Sequence, residues 1–122
     1  MNTAVYSSTM FRVYLVLAVI GFVLPGVPMI QESIETGNIL FWTQPDRTTS
    51  ELLANRTSTA FAYDLLVVVL VAFIWMWHES KRIGIPHVWR FWLLAALFGL
   101  GGTLPLFLAV RERALGRTVR AA

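Results

Sequence analysis

This sequence predicts an all-α membrane protein with three transmembrane helices, and three observations predict it. Hydrophobic residues make up 57% of the 122 positions and charged residues only 14%, against about 25% charged in an average soluble chain. Three stretches come close to the roughly 17–25 apolar residues that a crossing needs. They are 13–30, 60–77 interrupted by Asp64, and 91–110 without a formal charge. Asp64 is the only formal charge inside any of the three. A soluble domain of this size has too much surface to cover with so few charges. The absence of cysteine excludes a disulfide framework, a zinc-thiolate site and a cysteine nucleophile. The net charge of +3 comes largely from arginines beside a span, where they are expected without any nucleic acid. With their flanks, the spans cover about 11–30, 59–80 and 87–110, followed by a basic tail at 111–122, all in one polytopic domain over 1–122.

The first span reads as a helix from Met10 to Leu24, followed by Pro25-Gly26-Val27-Pro28. Residues 13–24 alone reach about 18 Å at 1.5 Å each, short of a hydrocarbon core of ~30 Å. The helix therefore either kinks at Pro25–Pro28 and continues through Ile30 or restarts at Pro28. Arg12 before an apolar run also fits a cleaved signal peptide, but no small-residue cleavage site follows.

The connection from Gln31 to Thr59 is polar and longer than most loops in compact domains. Thr48-Thr49-Ser50-Glu51 has the spacing of a capping box, so a short interfacial helix is expected near 48–55 with Asn55 as its stop. Phe41 and Trp42 are placed to dip into the headgroup layer. Thr57, Ser58 and Thr59 offer caps for the second span.

The second span closes with His78-Glu79-Ser80-Lys81-Arg82, and cations suit a helix C-terminus. Gly84 can take the left-handed cap and Pro86 can open the next helix. Spans two and three are expected to form a tight antiparallel hairpin. Trp75, Trp77, Trp89 and Trp92 flank its turn as an aromatic belt at one interface, and Arg111 and Arg113 mark the exit from span three. Orientation is undecided. With three crossings, one side carries Arg12, Lys81, Arg82 and Arg90, and the other carries six arginines.

Asp64 is the candidate for chemistry, because intramembrane charges are rare and costly. Measured from the turn at Gly84, position 64 levels with position 104. Thr103 thus comes within reach, and Pro105 leaves a carbonyl free nearby. Tyr63 is read as an interface anchor or part of the same binding site. Glu32 and Glu35 leave span one on the Asp64 side, which makes Glu32 a second candidate acid. His78, Glu79 and His87 match no metal-ligand spacing, so no metal and no cofactor are expected. Ala95, Gly99, Gly102 and Thr103 are read as one smooth packing face on span three. No Ser-His-Asp constellation is present.

Three segments also carry a family pattern: Thr59-Ala-Phe-Ala-Tyr-Asp-Leu-Leu, Trp77-His-Glu-Ser-Lys-Arg-Ile-Gly-Ile-Pro-His-Val-Trp and Leu104-Pro-Leu-Phe-Leu-Ala-Val-Arg-Glu-Arg-Ala-Leu. The chain resembles the bacterial membrane family called domain of unknown function 2834 over roughly residues 10–115. The resemblance implies a small bacterial polytopic protein of the inner membrane and no assigned activity. It also implies that Asp64, the Glu79–Gly84 turn and Pro105 recur.

Two functions are expected to compete. The first is non-catalytic: an accessory subunit, or a binder of lipid or isoprenoid, whose partners are the bilayer, other membrane subunits or a second copy. The second is a membrane isoprenoid cyclase or isomerase. That chemistry needs a carboxylic acid kept protonated in an apolar pocket, with Asp64 or Glu32 in the role.

Overall fold

The computed structural model describes residues 8–121, with side chains through Gly116. It contains five α-helices and a single 3-10 turn: α1 Ser8–Thr36, the turn Ile39–Phe41, α2 Pro45–Leu52, α3 Arg56–Ile83, α4 Trp89–Phe98 and α5 Leu100–Ala121. Two of the five, α1 and α3, are long and apolar enough to cross a membrane, and α4 is a shorter apolar helix.

α1 runs through Pro25 and Pro28 as one helix of 29 residues, so it does not restart at Pro28. Prolines are tolerated inside such helices where neighbouring groups satisfy the freed carbonyls. Further along, near the end of α1, the Ser33 hydroxyl donates to the Met29 carbonyl and the Thr36 hydroxyl to the Glu32 carbonyl.

The connection differs from its expected form. α2 begins at Pro45, which occupies the first turn as proline can. Thr48 therefore lies inside the helix and caps nothing. Its hydroxyl instead donates to the Phe41 carbonyl at 2.8 Å. The capping box of this region belongs to α3. Asn55 accepts from the Ser58 N–H, and the Ser58 hydroxyl accepts from the Asn55 N–H. At the far end Gly84 closes α3 in the left-handed conformation (φ 80°).

The largest correction concerns the third span. One continuous helix over 87–110 is not what forms. Gly99 stands at φ 91°, ψ 160°, a region open in practice only to glycine, and the chain reverses there. The rings of Phe91 and Phe107 meet edge to face at 5.1 Å, whereas sixteen residues of straight helix would hold them about 24 Å apart. α4 and α5 are two limbs folded about Gly99.

Helix directions follow from pairs of contacts. Trp75 meets Phe107 and Glu79 meets Arg111. The offset between the paired numbers is constant, so α5 runs parallel to α3. Trp77 stacks on Trp92 at 5.8 Å, and Ala72 packs with Ala95, so α4 runs antiparallel to α3. The Gly99 reversal lies level with Ala72, near the middle of α3, because Leu100 packs there.

α1 makes its most extensive contacts with α5. Their backbones cross in contact at Gly21 against Gly101 and Gly102. The connection folds back on the end of α1 through Arg47 and Glu32 (3.8 Å) before α3 begins, so α1 runs opposite to α3 and α5. The core lies between α3, α4 and α5. Met76 and Phe107 are fully enclosed, and Ile85 closes the Gly84 end. Of the expected tail, 111–121 continues α5 as helix; the side chains of 117–121 and all of Ala122 lie outside the described residues.

Candidate functional site

The most organised polar site lies where α3 and α5 run side by side near Gly84. Glu79 is 5% exposed. Its Oε1 accepts from the Arg82 Nε at 2.5 Å, and Oε2 accepts from Arg111 Nε at 2.5 Å and from Arg82 Nη2 at 3.1 Å. Arg82 comes from the next turn of the same helix, the i,i+3 spacing at which helical side chains meet. Arg111 comes from α5, 32 residues along the chain.

Aromatic rings stand beside its cationic partner Arg111 and along α4. The Arg111 guanidinium lies 5.9 Å from the Trp75 ring centre, and Trp75 sits edge-on to Phe107. On the α4 side, Phe73, Trp92 and Trp77 stack in sequence, and the Lys81 ammonium caps the series 4.2 Å over Trp77. Cations attract such ring faces electrostatically. Within the stack, Trp92 Nε1 and, one turn beyond Trp77, Ser80 Oγ are buried and find no hydrogen-bond partner among the described residues. A carboxylate that accepts from two guanidiniums has its oxygens occupied. It fastens two helices and is poorly suited to acid–base work.

A second polar centre organises the connection. Asn38 is 1% exposed. Its Nδ2 donates to Thr48 Oγ1 at 2.8 Å and its Oδ1 accepts from the Gln44 N–H at 3.0 Å. The Gln44 side chain donates to the Thr36 carbonyl. Across to the hairpin, Trp42 Nε1 donates to the Ala96 carbonyl at 2.6 Å. Trp42 thereby satisfies one of the carbonyls that α4 leaves open at its end.

The residues singled out from sequence are dispersed. Asp64 is exposed on α3, and among the described residues it makes no ion pair or hydrogen bond. Tyr63 is 61% exposed and lines an open groove with Leu53, Asn55, Arg56, Thr59 and Ala60. Thr103 is fully buried and donates to the Gly99 carbonyl at 2.9 Å, bracing the reversal. The levelling of position 64 with 104 fails because α5 runs parallel to α3. Leu104 and Phe73 pack against the same buried cluster, and Phe73 is nine residues or about 13 Å further along α3 than Asp64. Glu32 pairs with Arg47 and not with Asp64.

The expected packing face is divided as well. Ala95 packs within α3–α4–α5, while Gly102 lies on α5 against Phe22 of α1. Trp75 and Trp77 stand on α3, and Trp89 and Trp92 on α4. Arg111 is taken up by Glu79, and Arg113 is exposed. Among the described residues no three metal-binding side chains gather.

Asn38 was not singled out from sequence, and Glu79 and Arg82 were read only as charges of the turn, with Glu79 weighed and set aside as a metal ligand. Glu79 and Arg82 carried the one available signal, their i,i+3 spacing. Nothing local announced Arg111, because its approach depends on the reversal at Gly99.

These features define a small all-helical protein with two helices able to cross a membrane and a shorter helical hairpin at their side. Over residues 13–113 the chain matches the family described as Protein of unknown function DUF2834, and it belongs to that family. No curated protein and no solved structure matches it.

Proposed function

We propose that this protein is a small multi-pass protein of the bacterial inner membrane, one polytopic domain over 1–122, that works without catalysis. Its role is that of an accessory subunit, or of a binder of lipid or isoprenoid. The observation that carries this reading is the apolar surface of α1 and α3. Leu24 is 69% exposed, Phe61 71% and Ile74 70%. Apolar surface this broad marks contact with a membrane or another protein.

The competing cyclase reading needs a carboxylic acid enclosed in an apolar pocket. Asp64 is exposed, Glu32 is paired with Arg47, and Glu79 is held by two arginines. None of these three is both enclosed among apolar side chains and free of a cationic partner.

Purification in a mild detergent tests the proposal. The expected result is co-purification of a fixed membrane subunit or a defined lipid, with Asp64→Asn retaining that association. A clean monomer carrying neither refutes the binding role. Loss of association in a well-folded Asp64→Asn protein points instead to chemistry at the acid.

A further inference from the structure

The helix directions change where the charges fall. α1 ends and α3 begins at the 37–55 connection, so the start of α1 and the Gly84 turn share the opposite side. Because α5 climbs from Gly99 parallel to α3, its far end lies on the Gly84 side too. A chain that crossed a third time would carry 111–121 to the side of the connection. Here Arg12 of α1, then Lys81, Arg82 and Arg90 about the turn, stand with all four arginines of α5. Only Arg47 and Arg56 remain on the other side. The count of four against six that left orientation open becomes eight against two. Segments rich in Lys and Arg stay in the cytoplasm, so the Gly84 side is the cytoplasmic one.

The cations on that side are not equivalent. Glu79 takes up Arg82 and Arg111. Lys81 stands over Trp77, Arg90 lies beside Trp89 at 5.8 Å, and Arg113 is exposed. Tryptophan rings settle at the headgroup level of a bilayer. Cations seated on or beside them are held at the depth of the lipid phosphates, and juxtamembrane cations attract anionic lipids.

Resting on the membrane reading above, we propose that α4–α5 is a hairpin that enters and leaves by the cytoplasmic side. The basic face it completes, centred on Lys81, Arg90 and Arg113, binds the anionic headgroups of the cytoplasmic leaflet.

The absence of native cysteine makes the test direct. Single variants Ser8→Cys, Ser50→Cys, His87→Cys and Thr118→Cys are treated with a membrane-impermeant maleimide in sealed vesicles of either orientation. Positions 8, 87 and 118 are expected to react from the cytoplasmic side and position 50 from the other. Labelling of 118 together with 50 overturns the hairpin. Tryptophan quenching by brominated phosphatidylglycerol and brominated phosphatidylcholine is then compared in reconstituted vesicles. A several-fold preference for the anionic lipid is expected, and it should fall to parity in Lys81→Gln/Arg90→Gln/Arg113→Gln and in high salt. Equal quenching in the unmodified protein overturns the headgroup assignment while leaving the topology standing. Release of the whole chain from membranes by alkaline carbonate refutes the membrane reading itself.

Discussion

Replacing Gly21 by alanine tests the α1–α5 crossing. A Cβ at this position would fall inside the van der Waals envelope of the Gly101 carbonyl and 2.7 Å from the Gly102 nitrogen. All of these neighbours are backbone, and none can rotate away. Restoring ordinary contact requires the two helices to part by on the order of 1 Å, and a gap of that size forfeits a quarter to a half of each facing dispersion contact. Overpacking of this kind costs about 1–3 kcal/mol. Gly26 provides the control, since it lies in the same helix and a Cβ there would meet nothing within 4 Å. Gly26→Ala should be neutral or stabilising by up to about 1 kcal/mol through helix propensity. Thermal or denaturant unfolding in detergent, followed by tryptophan fluorescence, should rank Gly26→Ala at or above the unmodified protein and Gly21→Ala clearly below it. Equal stability of Gly21→Ala and Gly26→Ala would refute the backbone contact and the placement of α1 that depends on it.

Glu79→Gln leaves Arg111 facing a neutral amide, and because both arginines are partly solvated the loss should be about 1–3 kcal/mol. Removing the exposed Arg47–Glu51 pair should cost at most about 1 kcal/mol in the same unfolding assay. Asn38→Ala strips partners from the buried centre of the connection. It should cost about 1–3 kcal/mol and speed proteolysis within 37–55 before any cut in α3. Gly99→Ala forces a side chain into a backbone region reserved for glycine and should destabilise by about 1–3 kcal/mol. An unaffected Gly99→Ala protein would argue for a straight third helix.

What was legible in the sequence was whatever local chemistry decides. Hydropathy located α1 and α3, and Gly84 after Lys81-Arg82 located the end of α3. Membership of the family could be read from three short segments. The cap of α2 was misplaced by four residues, Thr48 for Gln44, because Thr48–Glu51 and Pro45 both carry start signals, and proline at the first helical turn prevailed. The third span was misread for a deeper reason. A glycine inside an apolar run is ordinary in membrane helices, and hydropathy carries no record of direction. Gly99 looked like part of a smooth face, although it is the point where the chain turns back. Three errors at the candidate site descend from that reversal: the pairing of Asp64 with Thr103, the shared face of Ala95 and Gly102, and the overlooked approach of Arg111 to Glu79.

The reversal at mid-height also gives the protein an uneven outline. On the Gly84 side of the Ala72 level, four helices lie abreast, whereas beyond it α1 and α3 continue with only the short folded-back connection beside them. Seated in a bilayer, such a body occupies more area in one leaflet than in the other and acts as a wedge. It should concentrate where the membrane bends to relieve that asymmetry, and crowding many copies together should itself promote bending.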